Sequence, residues 1–198
     1  MGVEERMADR CNTIRLYSFQ TDVVYQVLKR DGVCYSKEEY VRKKYKESAK
    51  VFINAYGWFV KEAQHIVPKP EGAEYPYWAF TDLYNVDQTG DGHVLTLDVP
   101  IREAILFDMF DWTKIMQMHY IGENESEEAT FSEELKNMGM NEFQIMTSNF
   151  YPEQKARIQE SWKRLFGHQQ AIEAGDNSGV HSVQAGLWCI KDEWIVKE

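Results

Sequence analysis

The stretch RLYSFQTDVVYQVLKRDGVCY, residues 15–35, packs the signals of a strand, a helix and a second strand into twenty-one residues, and that brevity limits what the chain can build. Arg15 to Gln20 alternates in polarity, with Leu16 and Phe19 expected inward. Thr21-Asp22 then supplies a helix start, Val23, Val24, Val27 and Leu28 recur at helical spacing, and Asp31-Gly32 ends the helix before Val33-Cys34-Tyr35 extends again. So short a unit fits the corner of an α+β domain better than a regular doubly wound βαβ chain.

The remaining signals extend that reading. Ser36 with Glu39 three residues on is a capping box, opening a helix that runs to about His65 with Tyr40, Tyr45, Tyr56, Phe59 and Val60 on its apolar face. VPKPEGAEYPYW interrupts regular structure, YWAFTDLY extends as a strand, and Thr89-Gly90-Asp91-Gly92 reads as a hairpin turn into VLTLDVP. A helix is expected around Phe110 to Tyr120, and the acidic stretch 122–139 as loop with one short helix capped by Ser132. Pro152 and Gly167 bracket a further helix, residues 168–179 read as a surface loop, and the end of the chain as a terminal strand pair. The sum is an α+β domain on a mixed or antiparallel sheet with flanking helices, one domain over residues 1–198 with 1–13 and 122–130 flexible.

Composition narrows the function classes. A chain of 198 residues with 14% aromatics can bury a core. It contains no apolar run near the ~20 residues that cross a bilayer, and its first residues lack a basic-then-apolar leader, so a cytoplasmic location without membrane attachment is expected. A net charge of −10 argues against nucleic acid as the main partner, since phosphate backbones are held by surplus Lys and Arg. Cys11, Cys34 and Cys189 lie far apart without metal-ligand spacing and are expected as reduced, mostly buried thiols.

Few motifs carry chemistry. DQTGDGHVLTLD places Asp87, Thr89, Asp91, Gly92 and Asp98 at calcium-loop spacing, but Leu95 stands at the ninth position and strands flank the loop, so turn chemistry accounts for these residues and no metal is assigned. The five histidines show no helical metal pair, and nucleotide-loop, hydrolase and kinase signatures are absent. Asp108 and Asp111 sit where a strand hands over to a helix and are expected to cap it. Aromatic residues beside polar ones are the remaining lead: Tyr17, Gln20, Tyr77, Trp78, Trp112, Gln184 and Trp188 are candidates to line one pocket, against the alternative that the tryptophans fill the core.

RLYSFQTDVVYQVLKRDGVCY, YPYWAF, VPIREAILFDMFDW, ESWKRLF and VQAGLWCIKDEWI together resemble an uncharacterised family of bacterial and phage domains, domain-of-unknown-function family 3841, from about Arg15 to Ile195. No activity comes with it. More remotely, the order of elements is similar to ADP-ribosyltransferase-like folds, which split NAD between two half-sheets. That resemblance implies a His or Arg in the first strand, where Arg15 stands, and a late-strand Glu stabilising positive charge in the transition state. Here Gly186-Leu187 occupy the Glu position, Gln184 lies nearby and Glu193 falls several residues later.

These readings give the expectation of a binding domain for a nucleotide or an ADP-ribose/NAD-type ligand. The pocket is built around Arg15, Tyr17, Gln20, Trp78 and Gln184: Arg15 would hold phosphate, Gln20 and Gln184 would supply directed hydrogen bonds, and Trp78 would offer a stacking surface. NAD or a related nucleotide is the implied cofactor, and any catalysis would be of the ADP-ribosyltransferase or NAD glycohydrolase kind. The alternative is a non-enzymatic acidic interaction protein, such as a phage or mobile-element inhibitor, whose segment Glu123 to Glu134 docks on a basic host partner.

Overall fold

The computed structural model describes residues 12–39, 42 and 49–197. The opening unit forms as its pattern dictates: strand β1 (Thr13–Gln20), helix α1 (Asp22–Asp31) and strand β2 (Val33–Tyr35). Val24 and Leu28 face inward from α1, and Gly32 ends it at φ +75°, a conformation that costs a residue with a Cβ, with its N–H on the Leu28 carbonyl. Leu16 and Ser18 are fully buried, whereas Phe19 projects to the other face and is half buried, because strand side chains alternate.

Helix α2 (Ala49–Ala63) buries Ala55, Tyr56, Trp58 and Phe59. The main chain of Ser36 bridges Tyr75, and the N–H of Glu38 is taken by the Glu74 carboxylate at 2.8 Å, so Glu74 meets the donor at this bend. Tyr40 and Tyr45, along with Cys11, lie outside the described residues. Then follow β3 (Tyr77–Phe80), β4 (His93–Pro100), β5 (Ala104–Asp108), α3 (Met109–Met116), α4 (Glu125–Asn137), α5 (Glu142–Thr147), α6 (Pro152–Ser161), a 3-10 run (Trp162–His168), α7 (Gln169–Glu173), β6 (Val183–Leu187) and β7 (Cys189–Lys191). Among the described residues no helix is long and apolar enough to cross a membrane.

The strands form a five-stranded sheet in the order β4-β1-β3-β6-β5 and a two-stranded sheet β2-β7, with every pairing antiparallel. The fold is α+β. Four expectations are corrected. β3 and β4 are not a hairpin, because β1 lies between them and residues 81–92 cross over it. Residues 125–137, expected as loop with one short helix capped by Ser132, are helix α4 throughout: Asn124 accepts the Glu127 N–H, and three glutamates in the first turn complement the helix dipole, leaving Ser132 mid-helix. Gly167 does not end a helix but falls inside the 3-10 run, and the expected loop after it begins with α7. The two terminal strands pair with different sheets rather than with each other.

Two apolar layers cover the large sheet. One face, through Trp78, Ile105 and Phe107, packs against Tyr56 and Phe59 of α2, Trp112 of α3, and Trp162 and Leu165 of the 3-10 run. The other, through Leu16, Ala79, Leu97, Leu106 and Ala185, packs against Val24 and Leu28 of α1, Ile172 of α7 and Trp194. Both sheet edges are partly covered. Gln169 lies along β5 and imitates a strand residue, its Oε1 accepting the Leu106 N–H at 2.5 Å and its Nε2 donating to the Ala104 carbonyl at 3.2 Å. On the far edge the Val196 N–H reaches the Thr96 carbonyl of β4 at 2.9 Å.

Gly186 lets the α2 layer come this close. A Cβ there would lie 2.8 Å from Phe59 Cζ and 3.2 Å from Cε1, ring atoms already held between Phe107 and Trp112. Gly186→Ala is therefore expected to lower unfolding stability by about 1–3 kcal/mol. Urea titration followed by tryptophan fluorescence checks this; an unchanged midpoint would show that Phe59 yields freely.

Candidate functional site

Strand register decides which candidate residues share a surface. Thr96, Tyr17, Phe80, Gln184 and Phe107 form one continuous row across all five strands. Trp78, opposite Gly186, lies on the same face, as does Arg15, two residues from Tyr17 along β1. Gln20 does not. Its Nε2 donates to the Ser18 hydroxyl at 2.7 Å, and Ser18 in turn donates to the Trp78 carbonyl, which places Gln20 on the opposite face. β1 and β6 are not neighbours, since β3 separates them.

Several of these side chains already have partners. Arg15 holds Asp98 with two hydrogen bonds, Nε at 2.5 Å and Nη2 at 3.0 Å, with both side chains about half exposed. This pair also removes Asp98 from any calcium loop, while Asp87 accepts the Thr89 N–H and hydroxyl in a local turn. The Trp78 indole donates to Tyr56 Oη at 2.9 Å and touches the rings of Phe59, Phe107 and Trp112, so this tryptophan and Trp112 belong to the core. Trp188 donates to the Val67 carbonyl at 2.7 Å and is likewise core. Tyr77, on the other face, donates to Cys34 Sγ at 3.1 Å. Cys34 and Cys189 are free, buried thiols, and burial pushes Cys189 up to about 11, so its thiolate is scarce at neutral pH.

Gln184 differs from all of these. It is 3% exposed, and its Oε1 is sealed from solvent with no hydrogen-bond partner. A buried acceptor left unpaired costs about 1–3 kcal/mol. Its neighbours in the row are Phe107, fully buried, and Phe80, which like Tyr17 is half buried.

A second constellation lies at the end of the sheet. Asp108, 4% exposed, caps α3 by accepting the Phe110 N–H at 3.0 Å. Its other oxygen accepts the main-chain N–H of His181 and contacts His181 Nδ1, each at 2.9 Å. Burial pushes the Asp108 carboxyl up, but donors from His181, Phe110 and Ser182 outweigh it and hold the group below its ordinary value. Asp111 is shifted the other way: burial raises it and the Asp108 charge adds, against Lys114 and His168. The Asp108 cap was legible from sequence, whereas Asp111, expected to share that role, lies inside α3. The histidine was not legible, because seventy-three residues separate the partners and no spacing links them.

The acidic segment is tied into the fold. Glu127 accepts from Tyr120 Oη at 2.6 Å, Glu128 from Lys114 at 2.6 Å and Glu134 from Arg157 at 2.5 Å. Lys114, His119, Tyr120, Glu128, Ser132 and Glu142 line a cleft of about 270 Å³ there, where Glu142 also accepts the Tyr120 N–H. Among the described residues no group of three or more His, Cys, Asp or Glu is placed to hold a metal.

Residues 15–196 match the family described as Domain of unknown function (DUF3841), and the chain belongs to that family. No curated protein matches the chain, and no solved structure does.

The opposite shifts at Asp108 and Asp111 predict opposite pH signatures. A depressed carboxyl contributes stability above its unfolded pKa that is lost as pH falls through the folded value; a raised one contributes stability at low pH that is lost as pH rises. Asp108→Asn, which keeps a capping oxygen, should therefore destabilise increasingly as pH rises out of the acid range, by about 1.5–3 kcal/mol near neutrality for a lost charged hydrogen bond. The effect of Asp111→Asn should move toward stabilisation over the same range. Urea unfolding from pH ~3 to 7 separates the two; parallel curves would reject the assignment.

Proposed function

We propose that this chain binds a small nucleotide-type ligand, of the NAD or ADP-ribose class, on the sheet face that carries Tyr17, Phe80 and Gln184. The observation that supports it is the unpaired, buried Oε1 of Gln184 in register with two half-buried aromatic rings. A planar base stacked on Tyr17 or Phe80 would present amide or amino N–H groups at its edge, and a sealed carbonyl is the complement of such a donor. Reaching Oε1 requires a rotamer change in a neighbouring side chain, a common accompaniment of binding.

Arg15 lies on the same face but is neutralised by Asp98, so a phosphate there competes with an existing bidentate pair. The ligand's base end therefore supplies most of the selectivity. Gln20 and Trp78 have no direct part in this reading. The acidic-partner alternative draws on the charge of −10, but Glu127, Glu128 and Glu134 already have internal partners.

Calorimetry and thermal shift with NAD, ADP-ribose and cyclic nucleotides on the wild type and Gln184→Met test the reading. Removing the unpaired acceptor should stabilise the ligand-free protein by about 1–3 kcal/mol and weaken ligand binding at least tenfold. A silent panel, or a Gln184→Met protein less stable than wild type, would overturn it. Asp98→Asn, which frees Arg15, should strengthen binding of all these phosphate-bearing ligands while leaving that of adenosine, added as a phosphate-free control, unaffected.

A further inference from the structure

We propose that Asp108 and His181 form a proton-transfer pair in which His181 Nε2 acts as general base toward water, on an uncharged carboxylic ester whose apolar part rests against Phe110. The pair shares no residue with the Tyr17–Phe80–Gln184 row and stands independently of the ligand-binding reading.

A helix cap needs one oxygen, and Oδ1 of Asp108 fills that role with the Phe110 N–H. The position of Oδ2 is what capping does not explain. It sits 2.9 Å from both the main-chain nitrogen and the ring Nδ1 of His181. An ionised carboxylate can only accept, so Nδ1 carries the ring proton and the lone pair of the neutral imidazole lies on Nε2. The same bond fixes the ring's rotation, and the Phe110 ring supports it with centroids 5.0 Å apart and planes inclined at 41°.

Exposure separates the two roles. The Asp108 side chain is 5% exposed and that of His181 75%. A buried orienting carboxylate behind an exposed imidazole is the arrangement in which a histidine works as a general base. Asp108 is the positioning residue and His181 the catalytic one. Phe110, 51% exposed beside the base, offers an apolar surface for an acyl chain. The Asp108 and Asp111 carboxylates and a net charge of −10 disfavour an anionic substrate, so an uncharged ester with an apolar acyl chain is a class that suits this surface.

In the step, His181 Nε2 takes one proton from a water molecule as the water oxygen bonds to the ester carbonyl carbon. The tetrahedral oxyanion then collapses, the bond to the alcohol oxygen breaks, and that oxygen leaves with the proton returned from Nε2. The products are a carboxylic acid and an alcohol. Asp108 stays ionised throughout, and nothing is oxidised or reduced.

Hydrolysis of p-nitrophenyl acetate and p-nitrophenyl butyrate by the full chain tests this. Expected are a rate saturable in ester, a pH profile with a single rise, and preference for butyrate. His181→Gln, at an exposed position where circular dichroism should show an intact fold, should lose about 10²-fold or more and abolish the pH-dependent rise. Asp108→Asn should retain ester binding but lower kcat and displace the profile, because the amide no longer enforces one tautomer. Phe110→Ala should raise KM for butyrate more than for acetate. Wild-type hydrolysis no faster than free imidazole at equal concentration, or a His181→Gln rate equal to wild type, would overturn the proposal.

Discussion

Every side chain of β6, from Val183 to Leu187, is buried, and the architecture follows from covering that strand. A strand buried on both faces must have layers above and below and hydrogen-bonded neighbours on both sides, because no unpaired main-chain group is stable there. β3 and β5 supply the neighbours, α2, α3 and the 3-10 run one layer, and α1 with α7 the other. Gly186 and Gln184 are the two positions in this strand that are not ordinary apolar packing. The glycine admits the Phe59 ring, and the glutamine introduces an acceptor into a place where none is needed for folding.

That contrast between structural and unexplained polarity runs through the molecule. Ser18, Gln169 and Asp108 are buried polar residues whose groups have partners, and each ties one element to another. Gln184 leaves an oxygen unanswered, and the second oxygen of Asp108, besides taking the His181 main-chain N–H, holds an imidazole that solvent would otherwise satisfy. Polar placement beyond what the fold requires is the physical basis for both functional readings.

Local chemistry made part of this visible in the sequence. The β1–α1–β2 unit was legible because alternation, helical spacing and Gly32 agree with one another at every level. The Asp108 cap was legible for the same reason. The path of β3 and β4 was not: Thr89-Gly90-Asp91-Gly92 carries hairpin chemistry, yet the chain uses it to cross a third strand, and turn residues do not specify which strand lies beside the next one. Helix α4 was hidden by its acidity, which looks like solvated loop until Lys114, Arg157 and Arg164 are seen to answer it. Of the candidate site, Arg15, Tyr17, Trp78 and Gln184 do share a face, but nothing in the sequence showed that Asp98 would neutralise the arginine or that Ser18 would take Gln20.

The partial covering of both sheet margins also bears on how this protein meets copies of itself. Gln169 takes the Leu106 N–H and the Ala104 carbonyl of β5, and the segment through Val196 takes the Thr96 carbonyl of β4, so the middle of each border is already occupied against a strand from outside. Loss of the Val196 N–H, as Val196→Pro would bring, leaves the Thr96 carbonyl open to intermolecular strand addition while the interior stays folded.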